Sequence, residues 1–173
     1  DFWEVAMRRY LIILFALFLL IAPVQAQRGQ IGKSVMLSAG SPEDKALTEV
    51  TEATDPAKKL ELLDKWLAEY GKGDLAILAY EMYVVHYTSE KNYDKAFEYG
   101  EKLLALDPDA INMAVSLIRL ASEKPDLQRV FTYGEHVAAI IERYKSSPPA
   151  EGTSPDDWAK IKSETLAELS STI

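Results

Sequence analysis

Two histidines, His86 and His136, and the absence of cysteine set narrow limits on the side-chain chemistry open to this chain. Without a thiol there is no disulfide, no thiolate nucleophile, no iron–sulfur cluster and no cysteine zinc site. Each histidine stands alone, outside an H-E-x-x-H run or any other metal-ligand spacing, and each is expected on a helix, partly exposed. No serine lies in the strand–turn–helix elbow that exposes a nucleophile. Carboxylates are plentiful, but they share helical faces with lysines, as Glu98 and Lys102 do four residues apart. That is the spacing of a solvated ion pair. The remaining candidates are tyrosines: Tyr80, Tyr83, Tyr87, Tyr93, Tyr99 and Tyr133. They offer a platform for stacking a flat ligand, or packing surfaces whose hydroxyls stay wet, and the second reading is preferred.

Two short motifs fail on inspection. "GQIGKS" (29–34) ends in the Gly-Lys-Ser of a phosphate-binding loop, but Gln27 stands where that loop needs its first glycine and no strand precedes it. It reads as exposed linker. "DPDAIN" (107–112) lacks the glycine of a calcium loop and reads as a turn. No catalytic residue, cofactor or metal is therefore expected, and the chain is expected not to be an enzyme.

The elements that position these residues are helical. Over 173 residues the apolar fraction is 48%, that of a globular chain or a small array. The net charge of −8 argues against nucleic acid, which needs a basic face to displace counterions, and against an anionic membrane surface. Apolar residues recur at helical spacing almost throughout 42–146, with no alternating strand pattern. Helices are expected over Pro42–Ala53 (Ser41 as N-cap), Pro56–Tyr70, Asp74–Ser89, Tyr93–Leu106, Ala110–Ser122 and Asp126 to about Tyr144. A Pro-rich loop over 147–154 breaks the run, and a further helix starts at Ser154–Pro155 and occupies 155–173.

The first 41 residues are different. Arg8 and Arg9 precede the uncharged run Tyr10–Ala22, then Pro23 and the small-residue stretch ending at Ala26. Basic, apolar and small-residue parts in that order are expected to be an export signal cleaved after Ala26, ahead of a flexible linker over 27–41. The true start is expected at Met7. The alternative is an uncleaved N-terminal membrane anchor; the run is short for a span, which needs about 20 residues. With no cysteine after the run, lipoprotein processing is excluded.

A repeat runs through the helical part. "AFEYGEKLLAL" (96–106) aligns with "VFTYGEHVAAI" (130–140), pairing Phe97 with Phe131, Tyr99 with Tyr133, Gly100 with Gly134 and Glu101 with Glu135. The offset is 131 − 97 = 34. With two helices per unit this resembles the tetratricopeptide repeat. Counting from Ile77, Tyr87, Tyr93, Ala96 and Pro108 fall on that family's characteristic tyrosine, aromatic, small residue and proline. The unit from Ile111 to Tyr144 keeps the spacing but has Glu142 in place of the proline. "KLELLDKWLAEYG" (59–71) is similar to a second helix, with Gly71 in the proline's place. Trp158 and Ile161 resemble the start of another unit, whose second helix is expected beyond Ile173.

The resemblance implies an all-α fold: antiparallel helix pairs stacked as a right-handed superhelix, an α-solenoid. A lone pair cannot bury both of its apolar faces, so neighbours stack into one core. It further implies a non-catalytic interaction scaffold, binding a peptide or protein segment in a groove lined by first helices. The family's groove positions fall on Leu78, Glu81, Val85 and Thr88, then on Asn112, Val115 and Arg119. Members that clamp acidic C-terminal tails carry lysine and asparagine where Glu81 and Val85 stand here, so this groove is expected to prefer a neutral or basic extended segment. An exported bacterial-type protein, periplasmic or extracellular, fits the leader. Two other readings stay open: the repeat region of a larger chain with a catalytic or regulatory part, and self-association through the edge helix. Gly100 and Gly134 recur at the repeat period and are both expected at helix–helix contacts, since a ligand contact has no reason to recur.

Overall fold

The computed structural model describes residues 31–172, with side chains over 31–170. The leader expected over 1–26, and the first part of the linker, lie outside the described residues. Among the described residues the chain forms seven α-helices, one 3₁₀ turn and no strand. The helices are α1 (Pro42–Glu52), α2 (Pro56–Tyr70), α3 (Ala76–Ser89), α4 (Tyr93–Leu106), α5 (Ile111–Glu123), α6 (Leu127–Ser146) and α7 (Pro155–Thr172). Residues 31–147 make one compact unit; residues 148–172 belong to a second.

Local chemistry sets the helix starts. Ser41, Asp55, Asn92 and Asp126 each accept a hydrogen bond from the amide three residues on, satisfying a donor that the first turn leaves free. Pro42 and Pro56 begin α1 and α2, where a missing N–H is harmless. α3 begins later than expected. Asp74 lies in a 3₁₀ turn over Gly73–Leu75, and the α-helix takes over at Ala76. α6 runs on to Ser146, because the first residue barred from helical geometry is Ser147, directly before Pro148.

Within the first unit α1 packs on α2, α3 on α4 and α5 on α6, and the pairs meet through α2–α3 and α4–α5. Two buried clusters result. Val50, Leu63, Trp66, Ala79 and Tyr83 form one, with the Trp66 indole N–H donating to the Glu43 carbonyl at 2.8 Å. Ala96, Phe97, Leu117, Leu120, Ala121 and Tyr133 form the other. Tyrosines link the α3–α4 contact: Tyr99 stacks on Tyr83 with ring centres 4.1 Å apart and on Tyr87 at 5.7 Å. The Tyr83 hydroxyl donates to Asp64, and the Tyr133 hydroxyl to Glu101 at 2.6 Å. Burial, reinforced by these carboxylates, raises both phenols above their ordinary value. On the outer face Glu98 accepts from Lys102 at 2.8 Å and from Lys95 at 2.9 Å, and these bonds hold its carboxyl down at about 2.

The turn at 107–110 gathers distant parts of the chain. Buried Asp107 accepts the Lys33 amide at 2.6 Å and the Asp109 amide at 3.1 Å. The Lys33 ammonium bonds Asp74 at 2.7 Å. Gly32 approaches so closely that a Cβ would meet Asp107 Oδ2 at 2.8 Å, and its φ of +88° is one that side chains avoid. Asp109 takes the Arg143 guanidinium at 2.6 and 3.0 Å, and the Pro108 carbonyl accepts His136 Nε2–H at 2.9 Å. Both aspartates of "DPD" are thus engaged by amides and a guanidinium. Gly32-Lys33, read above as exposed linker, is a tether to this turn.

The two repeat glycines differ. At Gly100 a Cβ would lie 2.6 Å from Leu117 Cδ2, so α5 rests directly on the α4 backbone. At Gly134 a Cβ would meet nothing within 4 Å. The expectation that both glycines mark helix–helix contacts therefore holds for Gly100 and fails for Gly134. The sequence context recurs, but the close neighbour that Leu117 gives Gly100 has no counterpart within 4 Å of a Cβ at Gly134.

In the second unit, the Ser154 hydroxyl accepts the Asp157 amide at 3.1 Å and donates to the Asp157 carboxylate at 2.7 Å, starting α7. Lys162 lies over the Trp158 ring at 5.8 Å.

Candidate binding groove

α2 and α3 meet along part of their length and then leave a hollow of about 370 Å³. Pro56, Lys59, Leu60 and Leu63 form its α2 wall; Glu81, Met82, Val85, His86 and Ser89 form its α3 wall, and Thr54 closes one end. The spacing on each wall is helical, with positions three and four apart facing the same way. The floor is apolar because Leu63, at 1% exposure, belongs to the first core cluster. Val85 is 71% exposed, an apolar side chain held in water.

The groove holds one carboxylate, Glu81. Among the described residues it has no hydrogen bond or ion pair, although Lys59 also lines the hollow. Its side chain reaches solvent, yet the apolar surroundings desolvate it and raise its carboxyl above the ordinary value. His86 stands edge-on to Tyr87, ring centres 5.0 Å apart. One unpaired acid over an apolar floor suits a side chain with a hydrocarbon stem and a positive head. The volume lies at the low end for ligand sites, roughly 300–1,000 Å³. A few side chains fit, not the face of a folded domain.

Of the seven residues expected in a groove, Glu81 and Val85 line this hollow. Leu78, one turn earlier, packs half-buried against the first core cluster, and Thr88 is half-buried near the end of α3. Asn112, Val115 and Arg119 lie on α5 and do not line it; Asn112 and Arg119 are exposed and Val115 is half-buried. The α2 wall went unrecognised because Leu60 and Leu63 carry the inward stripe of an ordinary packed helix. The available signal was Pro56 and Lys59 on the same face as those leucines.

A second hollow, about 300 Å³, lies between α1 and α2 over Trp66, its rim mixing Lys45 and Lys65 with Glu49 and Glu69. The charges there are balanced, in contrast to the unpaired Glu81. Among the described residues no group of three or more histidines and carboxylates is placed to hold a metal ion, and no helix is long and apolar enough to cross a membrane. No protein-family model matches the chain, and no match to it is found among the curated proteins or the solved structures.

Proposed function

We propose that the protein is a non-catalytic interaction scaffold of tetratricopeptide type, whose α2–α3 groove takes a short segment of a partner protein carrying apolar residues beside a lysine or arginine. The observation that carries this reading is Glu81, an unpaired carboxylate set over an apolar groove too small for a folded surface. A basic side chain would give Glu81 the partner it lacks, while neighbouring apolar side chains of the segment would cover Val85, Met82 and Leu60. The overall charge of −8 favours the same partners at long range.

The 34-residue repeat and the sequential packing of helix pairs support an antiparallel, superhelical stack as the frame. The order of basic, apolar and small residues over 8–26 supports export, with action in the periplasm or outside the cell; retention as an N-terminal anchor is the alternative.

The test is a random peptide library selected on the purified protein. Selected peptides should combine large apolar residues with lysine or arginine. They should lose binding to a folded Glu81→Lys, Val85→Asp double variant. Acidic selected peptides, or binding untouched by the double variant, would remove the groove from consideration. Photo-crosslinking from position 85 in intact cells would then identify the natural partner by mass spectrometry.

A further inference from the structure

α6 carries a second apolar surface, away from the groove. Leu127 and Phe131 are 70% and 69% exposed, and Gly134 has open space above it. Ala138 is exposed as well. These residues are spaced four, three and four apart, so they form one narrow stripe along the helix. The stripe is the repeat counterpart of Tyr93, Phe97, Gly100 and Leu104 on α4. On α4 that stripe lies at the second core cluster, with Phe97 at 1% exposure and Leu117 seated on the glycine. On α6 the same stripe faces water.

We propose that the α6 stripe is a contact with a second copy of this chain, formed by two antiparallel α6 helices related by a two-fold axis. Spacings of four, three and four read the same in both directions. Antiparallel pairing therefore sets Leu127 against the partner copy's Ala138 and Phe131 against its Gly134, and the reverse. Each large residue meets a small one, which is the self-complementarity a two-fold contact requires. The α4 stripe could not pair with itself in this way, because Leu104 stands where α6 has Ala138. The seat is not hypothetical in kind: Leu117 on Gly100 shows a large side chain resting on a glycine of this repeat position.

The area of this contact sets its strength. An aromatic side chain buries on the order of 200 Å², so two copies of Phe131 and Leu127 supply only part of the ~1,200 Å² that marks a stable interface. The association is therefore reversible and depends on concentration.

Sedimentation equilibrium of the full chain over a concentration series should show a monomer–dimer equilibrium. Gly134→Phe sets Phe against Phe and should weaken dimerisation by at least about tenfold, which is 1.4 kcal/mol. Phe131→Gly should do the same by removing the large residue. The swap that combines them, Phe131→Gly with Gly134→Phe, restores large against small and should restore the dimer. Phe131 is exposed and a side chain at 134 has open space, so thermal unfolding should show each variant folded. A strict monomer throughout the series would overturn the proposal. So would self-association that the single variants leave unchanged, as when another segment carries it, or a double swap no better than either single variant.

Discussion

Leu117 on α5 occupies the space that a side chain at Gly100 on α4 would need, with Cδ2 only 2.6 Å from the position of a Cβ. Leu117 is fully buried, so it has no free direction in which to move. Gly100→Leu should therefore destabilise the protein by about 2 kcal/mol or more, overpacking outweighing the gain in helix propensity. Gly134→Ala has open space, and should stabilise by up to about 1 kcal/mol. Urea unfolding of the two variants side by side measures both. A stabilised Gly100→Leu protein would show that the α4–α5 contact is looser than described.

Asp107 is the only buried carboxylate among the described residues, and it accepts from two amides, Lys33 N–H 74 residues away and Asp109 N–H two residues on. Asp107→Ala removes the acceptor for Lys33 N–H and for Asp109 N–H. The expected loss is about 1–3 kcal/mol for the orphaned donors. Amide exchange should speed up at Lys33 before the helices open, because that tether has few other attachments. Unchanged exchange at Lys33 would mean that its amide finds another partner.

The starts of α1 and α2 were legible because their signals are local: Ser41, Asp55 and the prolines after them act over three or four residues. Glu81 and Val85 were expected in a groove lined by first helices, whereas the hollow they line has α2 as its other wall. Tertiary surroundings were not legible. Gly100 and Gly134 share a sequence context, and only the helix arriving from elsewhere separates them. The Lys33–Asp107 contact spans 74 residues and has no periodic signature. The α2 wall escaped because a helical stripe shows which face turns inward. It does not show where the neighbour leaves a gap.

Tyr83 and Tyr133 should make the protein lose stability in alkali. Both phenols are raised above their ordinary value of 10 by burial, with Asp64 and Glu101 respectively as hydrogen-bond acceptors. The folded value lies above the unfolded one, so the unfolded chain ionises first. The stabilisation is complete below pH 10 and is lost as pH rises beyond it. Urea midpoints should be level from pH 8 to just below 10 as far as these groups are concerned, then fall. Tyr83→Phe and Tyr133→Phe should each flatten the fall while lowering stability at neutral pH. An alkaline slope unchanged in the double variant would assign it to other groups.

Glu81 should set stability against binding. Its raised carboxyl means that the ionised form is disfavoured by the fold. Its contribution is complete below the ordinary carboxylate value of 4.5 and is lost as pH rises through the raised folded value. At neutral pH the protein thus carries a desolvated charge that makes no ion pair or hydrogen bond among the described residues. Glu81→Gln removes the charge and keeps the shape, so the thermal midpoint at pH 7 should rise by about 1–2 °C, a modest gain for a partly exposed group. The difference from the native protein should shrink below pH 4.5. The same variant should bind a lysine- or arginine-containing peptide selected on the native protein about tenfold more weakly, measured by titration calorimetry. A residue that is merely tolerated at the surface would change neither quantity. A midpoint that rises while affinity is unchanged would leave Glu81 strained but outside the recognition site.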